Sequence, residues 1–373
     1  MKIGILTLPL HLNYGGILQA YALQTVLERM GHEVVVINRP MEGKPAFIRS
    51  LIYYLRRLFK YYVLRRRDVS VKWEEGALKA YYERLPLNNF INDKIKNRFI
   101  QNLSEIKPTE FDAIVVGSDQ VWRKAYFYSK IEDAFLLFAE KWNVRRISYS
   151  ASFGKDNVDD YTVEEKRNVA RLLRIFEKVS VRESSAVNVC SKEFNIEAVQ
   201  MLDPTLLLSA DDYRAMIDKH GAVNLDGNFF CYILDQTADL SETIREIEQR
   251  NGWKSFFLHG GPEALATESN NKKIQPVEVW LQSFRDADAV ITDSFHACVF
   301  SIIFNKPFLV FGNSIRGMSR FESLLKMTGL EDRLVNSKEM ALAKIGLLSE
   351  KPNALVLLDD KKRAARDFLK VLE

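Results

Sequence analysis

Cysteine is scarce. Cys190, Cys231 and Cys298 are far apart, odd in number and in no Cys-x-x-Cys pair. That pattern argues against a disulfide framework or a zinc ribbon and fits a reducing compartment. Histidine is sparse too. His11, His32, His220 and His259 are scattered, with neither an i, i+4 pair nor the carboxylate spacing of a zinc site, so no metal constellation is expected. No run reaches the roughly 18 apolar residues a membrane span needs. The opening Met1-Lys2-Ile-Gly-Ile-Leu-Thr-Leu-Pro-Leu superficially resembles a signal peptide. It lacks a small-residue cleavage site and flows into a Gly-Gly turn and a helix, so a first buried strand and a cytoplasmic location are expected. The fingerprint Gly-x-Gly-x-x-Gly is absent, which leaves a nicotinamide or flavin site unsupported, and no cofactor is expected.

Charge of one sign is missing as well. With 53 Lys and Arg against 49 Asp and Glu, the chain is not a polycation, and no nucleic-acid partner is expected. The imbalance is local. Arg49 to Arg67 holds seven basic residues and no acidic one, leaving 46 basic against 49 acidic elsewhere. Apolar residues at 51, 55, 58, 59, 62 and 63 give this stretch one apolar helix face with Arg and Lys opposite. Such a helix could lie on the cytoplasmic face of an anionic membrane, gather an anionic polymer, or pack on its own domain with a solvated basic face.

What is present is an ordinary globular composition, 47% hydrophobic and 27% charged, over a length that suits two domains. The first β-α-β unit reads as strand Lys2 to Leu8, a loop Pro9 to Gly16, helix Ile17 to Met30 and strand Glu33 to Ile37. Gly15-Gly16 would allow backbone to approach a ligand or the facing domain, or form a tight turn only. From Pro40 to about Pro108 the alternation breaks into an aromatic-rich, helical insertion. It resumes at Phe111-Asp-Ala-Ile-Val-Val-Gly117-Ser-Asp-Gln-Val-Trp122, four buried-strand residues running into a polar loop. Strand Arg145 to Ser150 leads to Ala151-Ser-Phe-Gly154, and Lys178-Val-Ser-Val-Arg182-Glu183 is a strand ending in a charged pair. Arg182 there could clamp a carboxylate or phosphate bidentately, or serve a structural salt bridge. The pattern restarts after Met201-Leu-Asp203-Pro204.

The architecture expected is α/β: two Rossmann-like domains, 1–205 and 206–373, facing across a cleft. The first carries the insertion at about 41–108. The last helix, from about Leu358 to Leu372, could pack back on the first domain.

One stretch stands out chemically. Ala289 to Ile291 reads as a buried strand, Thr292, Asp293 and Ser294 as candidate helix caps, and Phe295 to Phe304 as an apolar helix. His296 then falls in the first turn of a helix, just past the carboxyl end of a strand, where ligands bind in open α/β sheets. Free N–H groups and the dipole favour an anion there. An imidazole at such a terminus is the leading catalytic candidate; a core or capping histidine is the alternative.

Six blocks occur in one order: Asn13-Tyr-Gly-Gly-Ile-Leu-Gln-Ala-Tyr-Ala-Leu-Gln24, Val116-Gly-Ser-Asp-Gln-Val-Trp122, Ser150-Ala-Ser-Phe-Gly154, Ser180-Val-Arg-Glu183, Leu202-Asp-Pro-Thr-Leu206 and Thr292-Asp-Ser-Phe-His-Ala297. This ordered set, from about residue 1 to Arg333, resembles the polysaccharide pyruvyl transferase family. The resemblance implies a fold like the B-type glycosyltransferases. It also implies transfer of pyruvate from phosphoenolpyruvate onto two hydroxyls of one sugar, as a ketal. The acceptor would be a cell-surface (exopolysaccharide) glycan or its precursor, which could be lipid-linked. By position, His296 matches the family's catalytic histidine and Arg182 its arginine. Where several branches carry a second arginine, this chain has Ser294, and Lys306, Arg316 and Arg320 are nearby candidates to replace it. Asp119 or Asp203 could bind acceptor hydroxyls or act as a second acid–base group. Asp119 is preferred, because Asp203 before Pro204 also suits a turn cap. The loop residues Asn13, Gly15, Gly16, Gly117, Ser118, Gln120, Ser152 and Ser294 complete the candidate substrate contacts. Two other functions compete: a nucleotide-sugar glycosyltransferase using the His259-Gly-Gly261 turn, and a non-catalytic glycan- or membrane-binding protein.

Overall fold

The computed structural model describes residues 1–11, 13–40, 62, 86–127, 129–258, 274–312 and 317–373. The Arg49–Arg67 segment (apart from residue 62), Arg316 and the His259-Gly-Gly261 turn lie outside them. Seven strands form one parallel sheet: β1 (Lys2–Leu6), β2 (Glu33–Asn38), β3 (Asn97–Phe99), β4 (Ala113–Val116), β5 (Arg145–Ala151), β6 (Lys178–Val181) and β7 (Val199–Gln200). Their order is β3-β2-β1-β4-β5-β6-β7. Five more form a second: β8 (Phe229–Tyr232), β9 (Ser255–Phe257), β10 (Ala289–Thr292), β11 (Phe308–Phe311) and β12 (Leu334–Val335), in the order β12-β11-β10-β8-β9. The central strands are short Val- and Ile-rich runs buried on both faces, such as Ala-Ile-Val-Val in β4 and Ala-Val-Ile-Thr in β10. The helices are α1 (Tyr14–Arg29), α2 (Pro86–Lys94), α3 (Val163–Leu173), α4 (Ser184–Phe194), α5 (Ala210–His220), α6 (Ala238–Asn251), α7 (Val277–Asp286), α8 (Phe295–Ile303), α9 (Ser319–Thr328), α10 (Lys338–Ala343) and α11 (Leu355–Leu369). None of the described helices is long and apolar enough to cross a membrane.

Strand order reverses between β1 and β4 in the first sheet and between β8 and β10 in the second. Crevices open at the carboxyl ends of strands at such points, and the candidate blocks after β1, β4 and β10 sit there. The lobes built on the two sheets do not have wholly separate cores. One apolar cluster runs from Ile3, Ile17 and Leu23 of the first lobe through Tyr14 to Trp280, Phe300 and Phe230 of the second. Two further clusters cover the outer faces of the sheets. The helix α11 returns to the first sheet, where Phe368 packs edge-on to Tyr149 at 6.1 Å, with the Lys178 ammonium 5.4 Å from the same ring.

Two sequence expectations change. The helical insertion does not extend to residue 108, because α2 leads into β3, which pairs with β2 and extends the sheet. Asn-Arg-Phe carries no apolar alternation, and its strand character comes from the neighbour's backbone. The glycine pair is not in a loop either. The first helix starts at Tyr14, so Gly15 and Gly16 belong to its first turn.

That turn is fastened to the second lobe. The Tyr14 hydroxyl donates to the Gln275 carbonyl at 2.8 Å and accepts from the Gln275 N–H at 3.1 Å, while its ring stacks on Trp280 at 5.2 Å. Tyr14→Phe would keep the stack and strand both backbone groups in a buried setting. A loss of about 1–3 kcal/mol is expected, read as a lower urea midpoint at an unchanged slope.

Candidate functional site

The first lobe supplies a platform of buried polar groups. Past β4, Ser118 is fully buried and Asp119 takes a left-handed backbone (φ 69°), a costly conformation for a residue with a side chain. The turn lets the Asp119 carbonyl accept from Ser152 N–H at 3.0 Å, tying the β4 and β5 loops together. It leaves the Asp119 carboxylate 3.5 Å from Asn13 Nδ2 and 3.9 Å from Arg182 Nη2.

Asp203 is the centre of this platform. Its Oδ1 accepts from Thr205 N–H at 3.1 Å and Thr205 Oγ1 at 2.7 Å, which makes it the cap of the short helical turn Pro204–Leu207. Its Oδ2 accepts from Ser118 Oγ and from Arg182 Nη1, both at 3.1 Å, and lies 3.5 Å from His296 Nε2. The last distance marks a polar contact rather than an aligned hydrogen bond. Burial acts to raise the carboxyl's pKa, but the His296 ring, Arg182 and Thr205 together outweigh it and hold it well below the usual carboxylate range.

The second lobe contributes His296. Thr292, Asp293 and Ser294 do not cap α8 with their side chains. Thr292 Oγ1 donates to the Tyr232 carbonyl, and the Asp293 carboxylate accepts from Leu234 and Asp235 N–H at 2.7 and 2.8 Å. These bonds clip the β8 and β10 loops together, a demand that spacing along one chain segment could not reveal. The imidazole is 6% exposed and seated against the start of α1, where a Cβ at Gly15 would fall 2.0 Å from Nδ1. Only glycine fits there. Beside it, the Phe295 ring carries the Arg182 guanidinium at 4.4 Å and that of Arg320 at 5.7 Å.

Residues 13–315 match the family model described as polysaccharide pyruvyl transferase. The chain belongs to the polysaccharide pyruvyl transferase family. It is therefore a member of a transferase family acting in polysaccharide biosynthesis. No curated protein matches it. Among solved structures it is similar to UDP-GlcNAc 2-epimerase from Methanocaldococcus jannaschii (TM-score 0.52, 16% identity, 99% of this chain and 100% of that one). It is also similar to the Neisseria meningitidis enzyme of the same name bound to UDP-GlcNAc (0.52, 12%, 99% and 100%) and to S. aureus MnaA with UDP (0.51, 14%, 95% and 92%). At these identities the likeness shows the fold: two Rossmann-like lobes of the B-type glycosyltransferase kind.

For a pyruvyl transferase family member, the candidate residues divide clearly. His296, Arg182, Asp119, Asn13 and Ser118 come together, with Gly15 and Gly16 beneath them. Gly117 packs on Ile5, where a Cβ would lie 3.2 Å from Cγ2, so it serves the sheet. Gln120 holds Arg123 at 2.8 Å, and Ser152 Oγ donates to Glu183 at 2.7 Å. Ser294 N–H donates to Thr292 Oγ1, and Ser294 is buried. Of the replacements for the missing arginine, Arg320 joins the cluster. Burial, then the charge of Arg182, lower its pKa to about 10. Lys306 does not join it. It sits past the far end of α8, in the field of Asp286 and Asp288, because the helix returns the chain to the amino ends of the strands, just before β11. Arg316 is outside the described residues.

Spacing ranks Asp119 above Asp203; in the structure Asp119 lies by Asn13 and Arg182, and the carboxylate 3.5 Å from His296 Nε2 is that of Asp203. The Asp203-Pro204 pair signalled a cap, and the carboxylate does cap, but its second oxygen faces His296. Glu183 was read only as half of a charged pair. It is wholly buried, and its pKa is raised by burial against the opposing influence of Arg182 and Ser152. Among the described residues, no three His, Cys, Asp or Glu side chains are placed to hold a metal ion.

Asp203 gives a pH test. Its folded pKa is depressed, so its contribution to stability is full above about pH 4, the unfolded value, and is lost as pH falls toward the folded one. Asp203→Asn takes from the buried Arg182 its hydrogen-bonded carboxylate and should cost about 3–5 kcal/mol at pH 7. The gap to the unsubstituted protein in thermal or urea unfolding should narrow below about pH 4.

Proposed function

We propose that this chain transfers pyruvate from phosphoenolpyruvate to two hydroxyls of one sugar, in a glycan or its lipid-linked precursor, with His296 as the general acid–base. The observation that carries the reading is the meeting of an imidazole from one lobe with the Asp203–Arg182 pair of the other, at facing strand ends. The donor's carboxylate and phosphate call for guanidiniums, and Arg182 and Arg320 share the Phe295 ring beside the imidazole. A proton goes to the methylene carbon, making it a methyl group and leaving the adjacent carbon electrophilic. Two sugar oxygens form bonds to that carbon and its bond to the phosphate oxygen breaks. Of the two hydroxyl protons, one balances the new C–H bond and the other leaves on inorganic phosphate. Asp203 holds the imidazole, while Asp119 with Asn13 offers acceptors and a donor to sugar hydroxyls. Both ring nitrogens face the first lobe, so substrate reaches them as the lobes part at this edge.

A nucleotide-sugar reading is disfavoured by Asp293. Its carboxylate takes the Leu234 and Asp235 N–H groups at the β8–β10 crevice, where a diphosphate would look for donors.

Incubation with phosphoenolpyruvate and a sugar panel should release phosphate and add to the acceptor the mass of pyruvate minus water. His296→Gln should lower that rate by about 10²–10⁴-fold; an unchanged rate would remove His296 from the mechanism. Gly15→Ala should cost about 10²-fold in kcat by displacing the ring, with the fold retained in circular dichroism.

A further inference from the structure

Arg123 takes no part in the reading above, yet it stands at the rim of the cluster. Its Nη1 donates to Gln120 Oε1 at 2.8 Å and its guanidinium lies 4.3 Å from the Tyr126 ring centre. Its Nε is buried and makes no hydrogen bond among the described residues. Tyr126 also acts electrostatically on Arg320, so the two arginines flank one region. The loops that deliver them meet at two glycines with left-handed backbones, Gly154 (φ 67°) and Gly317 (φ 97°). A Cβ on Gly317 would lie 2.7 Å from the Gly154 carbonyl oxygen and 3.6 Å from Arg320 Nε. One on Gly154 would lie 2.1 Å from Gln120 Oε1 and 3.0 Å from Arg123 Cδ. Bare backbone on both sides thus lets the lobes touch beside Arg320 on one side and Arg123 on the other.

A planar carboxylate is satisfied by one bidentate guanidinium, and Arg182 beside His296 has Nε and Nη2 without hydrogen bonds among the described residues. A tetrahedral dianion presents oxygens on several sides and suits donors arriving from two directions. We propose that Arg123 and Arg320, reaching from opposite lobes across the Gly154–Gly317 seam, clamp the phosphate group of the donor, so that a phosphate dianion draws the lobes together. This rests on phosphoenolpyruvate being the donor.

Calorimetry on the full chain tests it, with inorganic phosphate and pyruvate as separate probes. Arg123→Met and Gly317→Ala should each weaken phosphate binding by about tenfold or more and leave pyruvate binding unchanged; Arg123→Lys should fall between. In turnover, Arg123→Met should raise KM for phosphoenolpyruvate about tenfold with kcat held within about threefold, the pattern of a lost binding contact. Wild-type phosphate affinity in a variant with the parent's thermal midpoint overturns the clamp, as does equal weakening of both probes or an unsubstituted protein that ignores phosphate. If Arg123→Met does not fold, an unchanged phosphate affinity in Arg123→Lys overturns it. Turnover of phosphoenolpyruvate with phosphate binding insensitive to Arg123 sinks the clamp alone. Arg123-dependent phosphate binding without any turnover sinks the donor assignment alone.

Discussion

The buried carboxylate of Asp203 is the interaction on which the rest of the site depends. An ionised group with no exposed side-chain surface is tolerated only when its oxygens are fully engaged. Here one oxygen is taken by the turn that follows it in sequence, through Thr205, and the other by Ser118 and Arg182. Those partners come from the ends of three strands, so one charge fixes the relative positions of the β4, β6 and β7 loops. The field they leave is where the histidine of the other lobe lands. Removing the carboxylate would not delete one contact; it would take from the buried Arg182 its one hydrogen-bonded carboxylate, leaving Asp119 and Glu183 at 3.9 Å, and would take from His296 the acid facing its Nε2.

The meeting of the lobes depends on two residues that lack bulk or have a great deal of it. Tyr14 anchors the first turn of α1 to Gln275 and Trp280, and Gly15, next in line, offers no side chain to the imidazole. A helix start is a poor place for glycine on conformational grounds. Its presence there follows from packing: any Cβ would occupy the place of Nδ1. The apolar core shared by the two lobes lies behind this turn, and a Cβ on Gly317 would fall 2.7 Å from the Gly154 carbonyl oxygen.

Much of this was legible along the chain. Buried runs such as Ala113–Val116 and Ala289–Thr292, with polar loops after them, announce parallel strands and place His296 at a strand end. Six ordered blocks carried the family. Local pattern could not show which partners lie across the fold. Asp203 looked like a cap because a following proline makes caps common, and its second oxygen meets residues 21, 85 and 93 positions away. Lys306 looked close to His296 at ten positions, but the α8 helix between them turns sequence proximity into separation. The strand β3 and the two-residue strands β7 and β12 have no periodicity of their own; backbone pairing with a neighbour defines them. Gly15 read as a loop glycine because only the opposing ring explains it.

Charge balance links the platform to an anionic substrate. Counted formally, Asp119, Asp203 and Glu183 cancel Arg123, Arg182 and Arg320, and such a site would have no preference for a dianion. The environments are not equal. Asp203 is held ionised by hydrogen bonds and neighbouring positive charge, whereas Glu183, equally buried, has its pKa raised because desolvation outweighs its partners. Opposite shifts on two carboxyls around one guanidinium separate their roles. The Asp203 carboxylate serves as counter-charge to Arg182 and faces the imidazole. Burial first, and then the charge of Arg182, lower the pKa of Arg320, and an anion bound near both guanidiniums would offset that repulsion. On the proposed donor, an anion would be favoured here through unequal desolvation of two acids and not through a surplus of basic residues.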